Sequence, residues 1–503
     1  MKKIVLTGVL LVLLLAMFAD GEPESGDPLS FGGGVGSVII GDQTYMRLRL
    51  TPELRLGKLG IGLDIDFLFT EEGGVRDEDW DDWQDYVNKL YYIRWSERGD
   101  VFFAKLGAFS TYDLGMGLVV NDYCNTLTYP LERQLGLMVG GKLPLMDMML
   151  EGFTSNITDP TIFAGRVTIA PLHESGIPLL NKLRLGVTAA YDVDQYQGIS
   201  EDEEIMIMNS VDTDDDEIPD VEDFDADGDG LFTEDNLLEM GFTQEQINQL
   251  IAMGGFVEAY DEELDDPLAN LSEEDMLVLG FDYDLPLIDT KMLKLSHYAE
   301  LAQIVDHGYG FIFPGFYSQF AIFHLNLEFR QYDNNFMAGY FDHYYDADRA
   351  YLQFNPDQGS AGEYDIFIKE QLLETVTASR GWYGKLRADI FNFLYLEAAY
   401  TDMYSDGDED GVKSLIGTAG INTKIIPKLK NMEFKYYQVD VSQITDIIAP
   451  HVIIQGTLRY ELSPGTNLMW QYQERYVDYD NNDKIEGDEE IERDVSIGVE
   501  FRF

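Results

Sequence analysis

Acidic residues recur at alternate positions in one stretch of the chain, a pattern that could bind a divalent cation. Residues 212–229 read DTDDDEIPDVEDFDADGD, and Gly230 follows. A calcium ion takes several oxygen ligands, which a loop supplies from alternate residues around a sharp turn that glycine permits. The first five aspartates of the set below fall at positions 1, 3, 5, 9 and 12 of such a loop, and the last three begin a second one. The predicted metal ligands are Asp212, Asp214, Asp216, Asp220, Asp223, Asp225, Asp227 and Asp229.

This short run resembles the calcium repeats of thrombospondin type 3 and EF-hand-like proteins, which implies a Ca²⁺ ion as a structural cofactor. Two positions depart from the pattern. Glu217 stands where the first turn glycine is expected, and Asn236 stands where an EF-hand places its bidentate glutamate. The alternative is a solvated acidic segment that stays disordered. The regular spacing of the carboxylates favours calcium.

The calcium-like run belongs to an acidic insertion predicted over residues 196–292. Residues 201–290 carry 31 Asp plus Glu and no Lys or Arg. Thr243 with Gln246, and Ser272 with Asp275, have the spacing of capping boxes, so short helices are expected beside the acidic run. The whole chain has a net charge of −58. Nucleic acid is therefore excluded as a partner, because binding its phosphates requires basic patches.

A second set of charged residues alternates with apolar residues in short segments elsewhere in the chain. If these segments are strands of a membrane barrel, the apolar face meets lipid and the charged face lines the lumen. Opposed charges could filter solutes in a water-filled pore, or they could simply pair across neighbouring strands and satisfy the interior. The predicted pore-lining residues are Arg47, Arg49, Arg184, Arg330, Lys385, Arg387, Lys435, Arg459, Arg475, Glu328, Asp389, Glu461, Glu500 and Arg502.

The sequence contains no arrangement typical of an enzyme. GxSxG, HExxH and phosphate-binding glycine loops are all missing from it. Ser296 and His297 are neighbours in sequence but would point to opposite faces of a strand. Cys124 is the only cysteine, so no intrachain disulfide can form. We expect a protein that is not an enzyme.

The charged and apolar faces are positioned by β-strands. Segments with alternating polarity recur from residue 30 to the carboxyl terminus and predict about 18 strands, within a range of 16 to 20. The last ten residues, DVSIGVEFRF, alternate strictly and end on Phe503. They resemble the closing strand of bacterial outer-membrane β-barrels, where a terminal Phe helps the barrel assembly machinery to recognise the chain. The resemblance implies an all-β fold, a transmembrane antiparallel up-and-down barrel of the porin-like type.

The links between the segments provide a second argument for a barrel. If Phe503 lies in the periplasm, long links and short turns should alternate along the chain. They largely do, although residues 41–43 are short where a long link is expected and residues 306–322 are long where a turn is expected. A soluble sandwich has no reason to sort its links by side.

The amino-terminal residues predict export. Residues 1–19 have a basic start, an apolar run and small residues near the end, which is typical of a signal peptide. Residues 20–29 are expected to be a periplasmic segment. The predicted barrel comprises residues 30–195 and 293–503, and it is expected in the outer membrane.

Two links have compositions that are unusual for water-exposed loops. Residues 114–123 (LGMGLVVNDY) are glycine-rich and apolar, which predicts either a loop folded into the lumen as a constriction or an additional strand. Residues 337–345 (MAGYFDHYY) form an aromatic link that could cap a pore or bind a partner.

These features together predict a porin-like channel for passive diffusion of small hydrophilic solutes. The alternative is a surface-exposed structural or adhesive barrel that acts through its calcium-binding loop. The expected partners are outer-membrane lipid, small hydrophilic solutes and the barrel assembly machinery, with a homo-oligomer left open.

Overall fold

The computed structural model describes the greater part of the chain. The described residues are 29–40, 43–70, 73–76, 80, 86–87, 89–109, 111–126, 134–199, 207, 232–233, 243, 246, 257–258, 271, 274–355, 363–391, 393–405, 411–421, 428–441, 448, 452–463, 466–476, 485 and 491–502. The predicted signal peptide, the residues 20–28 and all eight predicted calcium ligands lie outside them.

The described residues form 27 strands, numbered here in chain order. The strands are β1 (Leu29–Ile40), β2 (Gln43–Leu56), β3 (Leu59–Leu63), β4 (Ile65–Phe69), β5 (Leu90–Trp95), β6 (Phe102–Gly107), β7 (Tyr112–Leu114), β8 (Val120–Tyr123), β9 (Gly136–Leu143), β10 (Met148–Thr154), β11 (Ile162–Ile169), β12 (Arg184–Asp192), β13 (Phe232–Thr233), β14 (Val257–Glu258), β15 (Met276–Asp289), β16 (Leu293–Ile304), β17 (Tyr309–Phe320), β18 (Phe323–Tyr332), β19 (Ala350–Asn355), β20 (Glu363–Ile368), β21 (Ser379–Ile390), β22 (Leu394–Ser405), β23 (Val412–Ile421), β24 (Leu429–Val441), β25 (Val452–Ser463), β26 (Thr466–Tyr476) and β27 (Ile491–Arg502).

One sheet contains 21 of these strands, and the pairs β7–β8, β13–β14 and β19–β20 form three small separate sheets. Within the large sheet β3 and β4 both pair with β2, one after the other. They are therefore two halves of one span interrupted at Asp64. The sheet has 20 spans, close to the predicted 18, and an even number is usual for bacterial barrels.

The sheet closes on itself between its first and last strands. Gly32 to Val35 of β1 pair antiparallel with Arg502 to Val499 of β27. The other edge of β1 pairs with β2 over twelve residues, from Leu29↔Leu54 to Ile40↔Gln43. Closure removes the open sheet edges, which is the arrangement a bilayer requires of strands. The predicted transmembrane antiparallel β-barrel is confirmed.

The two faces of the strands differ as alternation predicts. On β18, Leu325 and Leu327 are each 42% exposed and point outward. Glu328, the next residue along the strand, is 3% exposed and points inward. On β27, Val495 and Ile497 are 58% and 63% exposed. The barrel therefore presents an apolar outer surface and a polar inner surface.

The strands are not equally long around the sheet. Five consecutive spans, β5, β6, β9, β10 and β11, contain 6, 6, 8, 7 and 8 residues. After β12, which has 9 residues, the spans are longer, with 14 residues in β15 and 12 in each of β16 and β17.

Two spans were missed in the sequence. β15 lies within the range 196–292 that was predicted to be acidic insertion, and it begins where a helix was expected after Ser272; the barrel resumes at Met276, not at residue 293. β17 lies within residues 306–322, for which the sequence predicts a long link. Its Pro314 cannot donate to the ladder and lies where the register with β18 shifts, between Ile312 and Gly315.

The two additional spans also remove one exception in the links. The long link predicted over residues 306–322 is divided by β17 into short turns at each of its ends. The alternation of strand directions on both sides of the insertion is thereby regular.

A second unit of the chain comprises residues 191–276 and 344–375. It contains the helices α1 (Tyr345–Asp348) and α2 (Lys369–Leu372), the hairpin of β19 and β20, and a 3₁₀ turn at Gln195–Gly198. Asp192 is fully buried there and accepts hydrogen bonds from the Tyr345 hydroxyl (2.9 Å) and from Nη1 of Arg349 (3.3 Å). A buried charge of this kind is stable only when paired.

Candidate functional site

The inner face of β2 carries two arginines, and each of them is paired with an aspartate. One aspartate belongs to β4, and the other lies between β3 and β4. Arg47 donates from Nε and Nη2 to the two carboxylate oxygens of Asp66, both at 2.8 Å. Arg49 donates to Asp64 in the same bidentate way, with Nε at 2.7 Å from Oδ1. The carboxylates are 1% and 6% exposed for Asp64 and Asp66. Sequence reasoning missed both aspartates, although they alternate with Ile65 and Phe67 and so had the signal of an inward face.

Other predicted pore-lining residues form similar pairs. Arg330 contacts Glu328 at 2.6 Å, Lys385 contacts Glu397 at 3.0 Å, and Arg387 contacts Asp389 at 3.1 Å. Lys435 contacts Glu433 at 3.4 Å, Arg184 contacts Asp147 at 3.6 Å, and Glu461 contacts Lys430 at 3.2 Å.

The remaining predicted residues are placed by register alone. Arg459 pairs with Asn431 and Met469, and Arg475 pairs with Ile453, on the polar side of the sheet. Glu500 and Arg502 belong to β27 by their backbone, and their side chains lie outside the described part. The structure thus shows most of the inner charges beside an opposite charge, which lies either on a neighbouring strand, as for Lys385 and Glu397, or two residues along the same strand, as for Arg330 and Glu328.

A hairpin occupies the inner side of the short strands. β7 and β8 pair with each other and belong to the small sheet, not to the barrel wall. Leu118, Val119 and Val120 are fully buried, and Tyr123 is too. The predicted inward loop over residues 114–123 is therefore folded inside the barrel as a hairpin of two short strands.

The wall holds this hairpin through one carboxylate. Glu300 of β16 accepts hydrogen bonds from the backbone N–H groups of Met116 (3.1 Å) and Leu118 (2.9 Å). Glu300 is 2% exposed. Two N–H groups aimed at one buried carboxylate satisfy its charge by charge-assisted hydrogen bonds.

A second anchor comes from the turn between β5 and β6, at the end of the barrel that holds the carboxyl terminus. Arg98 in that turn donates to the carbonyl oxygen of Asp113 (2.9 Å) and to Glu151 of β10 (2.7 Å). Its guanidinium also lies 4.1 Å from the ring centre of Tyr112. The hairpin therefore reaches from the far end of the lumen to this turn.

Aromatic rings fill the space between the hairpin and the wall. Tyr123 stacks on Phe153 of β10 with ring centres 4.9 Å apart, and Tyr112 meets the same ring edge to face at 5.1 Å. Phe109 contacts Phe153 at 5.4 Å. These rings form an apolar core between the hairpin and β10.

A second inward segment, residues 336–343, runs beside the hairpin. The N–H of Asn121 donates to the carbonyl oxygen of Phe341 (3.0 Å), and the N–H of Gly339 donates to that of Leu118 (2.8 Å). Tyr340 and Phe341 are fully buried. The aromatic link over residues 337–345 was predicted to cap a pore or to bind a partner, and its part up to residue 343 is packed against the hairpin.

Cys124 and His343 join the two inward segments. The thiol lies 3.9 Å from Nε2 of His343 and donates to its carbonyl oxygen at 3.4 Å. Nδ1 of His343 lies 3.2 Å from the carbonyl oxygen of Asp122. The bond to Cys124, more than any other contact, raises the pKa of His343 to about 9.

A cavity of about 450 Å³ lies against the inner wall at β1, β2 and the last strands. Its floor consists of glycine backbone, because Gly32, Gly34 and Gly36 alternate on the inward face of β1 and Gly498 follows on β27. A Cβ atom added to Gly36 would meet only the Cα of Gly498, at 3.9 Å. The cavity exists because these positions have no side chains.

Polar groups stand around this floor. Arg47 and Arg49 border it on one side and Arg459 on another, while Glu53, Asp64 and Tyr92 complete the side near β3 and β5. The Tyr92 hydroxyl donates to Glu53. The arrangement can hold a small polar molecule between donors and acceptors.

Some common features are absent from the described part of the chain. No helix among the described residues is both long enough and apolar enough to cross a membrane. The same portion contains no group of three or more His, Cys, Asp or Glu side chains that could share a metal ion.

Comparison with family models and with curated proteins found no match. Among solved structures, Wzi of Escherichia coli, an outer-membrane carbohydrate-binding barrel involved in group 1 capsule assembly, is 11% identical; the match covers 98% of this chain and 87% of Wzi, with a TM-score of 0.33. OprD of Pseudomonas aeruginosa is 12% identical, with 97% of each chain covered and a TM-score of 0.31. OccD3 of the same organism is 9% identical, with 96% and 93% covered and a TM-score of 0.33. The fold of this chain, as its own strand pairing shows, is a closed antiparallel β-barrel.

Proposed function

We propose that this barrel is a porin-like channel through which small hydrophilic solutes diffuse passively. The observation that carries the proposal is the glycine-floored cavity on an otherwise charged inner wall. The hairpin and residues 336–343 fill the lumen beside β10 and β16 with apolar groups, so a hydrated solute is expected to pass on the side of β1, β2 and β25–β27. Inner surfaces of this polarity suit water-filled passages.

Conductance of single channels in planar bilayers tests this proposal. The purified full-length protein is expected to give stable open steps. Gly36→Leu should at least roughly halve the step, because the added side chain projects from the floor into the passage and its Cβ atom meets no neighbour closer than 3.9 Å.

Gly384→Leu is the matched control. A Cβ atom at Gly384 meets nothing within 4 Å, and the neighbouring Lys385 points inward, so residue 384 faces lipid. This variant should conduct as the unmodified protein does. Absence of steps, or equal conductance in Gly36→Leu and the control, would contradict the channel.

The acidic insertion is a separate matter. We propose from its sequence that it binds Ca²⁺ as a structural ion through the eight aspartates of residues 212–229. Titration calorimetry of the full-length protein should give calcium-dependent heat that disappears when Asp212, Asp214 and Asp216 are changed to Asn. No heat at millimolar Ca²⁺ would refute this proposal.

Further aspects of the proposal rest on the sequence. The chain is exported through the signal peptide of residues 1–19 and inserted by the barrel assembly machinery, which reads the terminal Phe503, and it carries out no catalysis. Deletion of Phe503 is expected to reduce the amount of folded barrel in the outer membrane, measured as heat-modifiable protein.

A further inference from the structure

The charge of the chain is distributed unevenly along the axis of the barrel. Neighbouring spans are antiparallel, so the links between them lie alternately at the end that holds the carboxyl terminus and at the opposite end. The 20 spans, with Asp64 included, carry 20 Asp plus Glu and 20 Lys plus Arg. The spans therefore contribute nothing to the net charge of −58, which comes from the rest of the chain.

The links at the opposite end carry a large excess of carboxylates. Together they contain 64 Asp plus Glu and 6 Lys plus Arg. Part of this excess belongs to the second unit of the chain. When residues 191–276 and 344–375 are left out, the barrel's own links at this end still contain 28 Asp plus Glu and 4 Lys plus Arg. The excess is thus a property of the barrel itself.

Several of the barrel's own links share this excess. Residues 70–89 contain eight Asp plus Glu and two Lys plus Arg, and residues 477–490 contain seven and one. Residues 406–411 contain four Asp plus Glu and no Lys or Arg. Asp159 and Asp306, in two further links at this end, have exposed side chains. The negative charge is therefore spread around this end of the barrel and is not confined to one loop.

The turns at the carboxyl-terminal end have the opposite sign. They contain 6 Lys plus Arg and 4 Asp plus Glu. Lys182 in one of these turns contacts Asp289 at the end of β15 at 3.6 Å, and Arg98 in another contacts Glu151 of β10 at 2.7 Å. The change of sign between the two ends is an observation separate from the number of carboxylates at either end.

The charges of the wall act mainly on each other. Nη2 of Arg166 on β11 donates to Oδ1 of Asp282 on β15 at 2.7 Å, and Lys385 contacts Glu397 on the next span at 3.0 Å. Two opposite charges in contact largely cancel at a distance, because their Coulomb potentials have opposite signs. An excess of one sign does not cancel, and its potential extends over about 30 Å in 0.01 M salt and about 10 Å in 0.1 M salt.

An entrance surrounded by one sign of charge changes the local concentration of ions. Ions of the opposite charge are concentrated there and ions of the same charge are depleted. Rings of acidic side chains select cations in channels for this reason. The small positive excess at the carboxyl-terminal end is too weak to reverse the effect of the much larger negative excess. Cations should therefore enter this barrel more readily than anions.

We propose that the channel prefers small cationic solutes to anions of the same size, and that the carboxylates of the links at the end opposite the carboxyl terminus produce this preference. This inference rests on the proposed channel and specifies its solute class.

The reversal potential across a planar bilayer tests the preference, with K⁺ and Cl⁻ as the probes. Under a gradient of dilute KCl, K⁺ should be at least about threefold more permeant than Cl⁻. EGTA in all solutions prevents bound calcium from neutralising carboxylates. In molar KCl the potential of the links reaches only about 3 Å, so the two permeabilities should become nearly equal.

Two results of this measurement would overturn the inference. Equal permeabilities in dilute KCl, or a preference for Cl⁻, would show that the acidic end does not select cations. An undiminished preference for K⁺ in molar KCl would show that the selecting charges lie within the passage and not in the links.

A variant with eight neutralised carboxylates in two links tests their role. It should lower the ratio of K⁺ to Cl⁻ permeability by at least about one third. The matched control exchanges Asp for Glu and Glu for Asp at the same eight positions; it retains every charge and should retain the ratio. Equal ratios in the two variants would refute the role of these links. The neutralising substitutions are Asp406→Asn, Asp408→Asn, Glu409→Gln, Asp410→Asn, Glu486→Gln, Asp488→Asn, Glu489→Gln and Glu490→Gln.

Chemical modification covers the case in which the neutralised variant fails to assemble. A water-soluble carbodiimide with glycinamide converts exposed carboxylates of the unmodified, assembled channel to neutral amides. Added to one side of the bilayer it should lower the permeability ratio much more than when added to the other side. Equal effects from both sides would contradict the placement of the selecting charges. If the unmodified protein gives no conductance, the channel itself is refuted; if it conducts without preferring K⁺, only the solute class is refuted.

Discussion

His343 is the titratable residue that joins the two inward segments, through Cys124 and the carbonyl oxygen of Asp122. Its position is remote in sequence from Cys124, and no spacing in the chain connects the two. The contact arises only when both links fold inward. It could not have been predicted from either link alone.

We expect His343 to remain protonated well above neutral pH. Its ordinary pKa of 6.5 is raised to about 9, chiefly by the bond to Cys124. Because the pKa is raised in the folded protein, protonated His343 stabilises the folded state. This stabilisation is complete below pH 6.5 and is lost as the pH rises through about 9. NMR titration of histidine-labelled protein, with His343→Gln to assign the signal, measures this pKa. A midpoint close to 6.5 would show that the contact does not hold the ring.

The inward arginines were predictable one by one, because alternation with apolar residues assigns each to a face. Arg47 and Arg49 lie where that pattern puts them. Their partners Asp64 and Asp66 were not predicted, because a pair depends on the register between two strands, and the sequence did not show that the span breaks at Asp64.

The hairpin of β7 and β8 is the element that decides how much of the lumen is open. Its apolar residues in a link gave the signal for an inward fold, and the structure adds what holds it: Glu300 from the wall and Arg98 from a turn. These anchors are about 180 residues and 15 residues away from the atoms they bind, respectively. Only the nearer one was within reach of local sequence reasoning.

Glu300→Gln should loosen the hairpin. The amide keeps one oxygen acceptor but directs an NH₂ group at a backbone N–H, so one hydrogen bond is lost at a cost of about 1–3 kcal/mol. Hydrogen exchange should accelerate at Met116 and Leu118, and the channel should flicker to larger conductance. Glu433→Gln, an inner carboxylate paired with Lys435 on another part of the wall, serves as the control. Unchanged exchange at both amides would contradict the anchoring role.

The two strands missed in the sequence fail for different reasons. β15 starts inside a segment whose acidity and capping-box spacing indicated a helix, and its inward positions hold Gly280, Asp282 and Asp284, which do not look like a membrane span. β17 has aromatic residues on both faces, so its alternation is obscured. In both strands the residue types obscured the two-residue alternation that indicates a strand.

At the scale of the whole barrel, the class, the closure and the approximate number of spans were predictable. They depend on the alternation of polar and apolar residues in many segments, each a weak signal that gains from the others, and on the carboxyl-terminal strand. The filled half of the lumen was predictable only as one candidate loop, and the glycine-floored cavity was not predicted, because an empty space is formed jointly by β1, β2 and β27.

A disulfide across the seam should stabilise the barrel as a unit. Val35 and Val499 are directly opposite in the pairing of β1 with β27, and Cys124→Ser removes the natural thiol from the background. Val35→Cys with Val499→Cys, when oxidised, should keep the barrel folded at a higher temperature in detergent than when reduced, seen as a shift of heat-modifiable mobility. If oxidised and reduced forms melt together, the seam does not limit stability.

The short spans β5, β6, β9, β10 and β11 have a consequence for the surrounding lipid. A strand needs about 9–11 residues to cross the hydrocarbon layer, and these have between 6 and 8. Lipid beside them must compress, at a cost that grows with each ångström of mismatch. The bilayer is therefore strained on one flank of the barrel and relaxed on the other, so the protein should gather where membrane is thinnest or where neighbours share that strained flank.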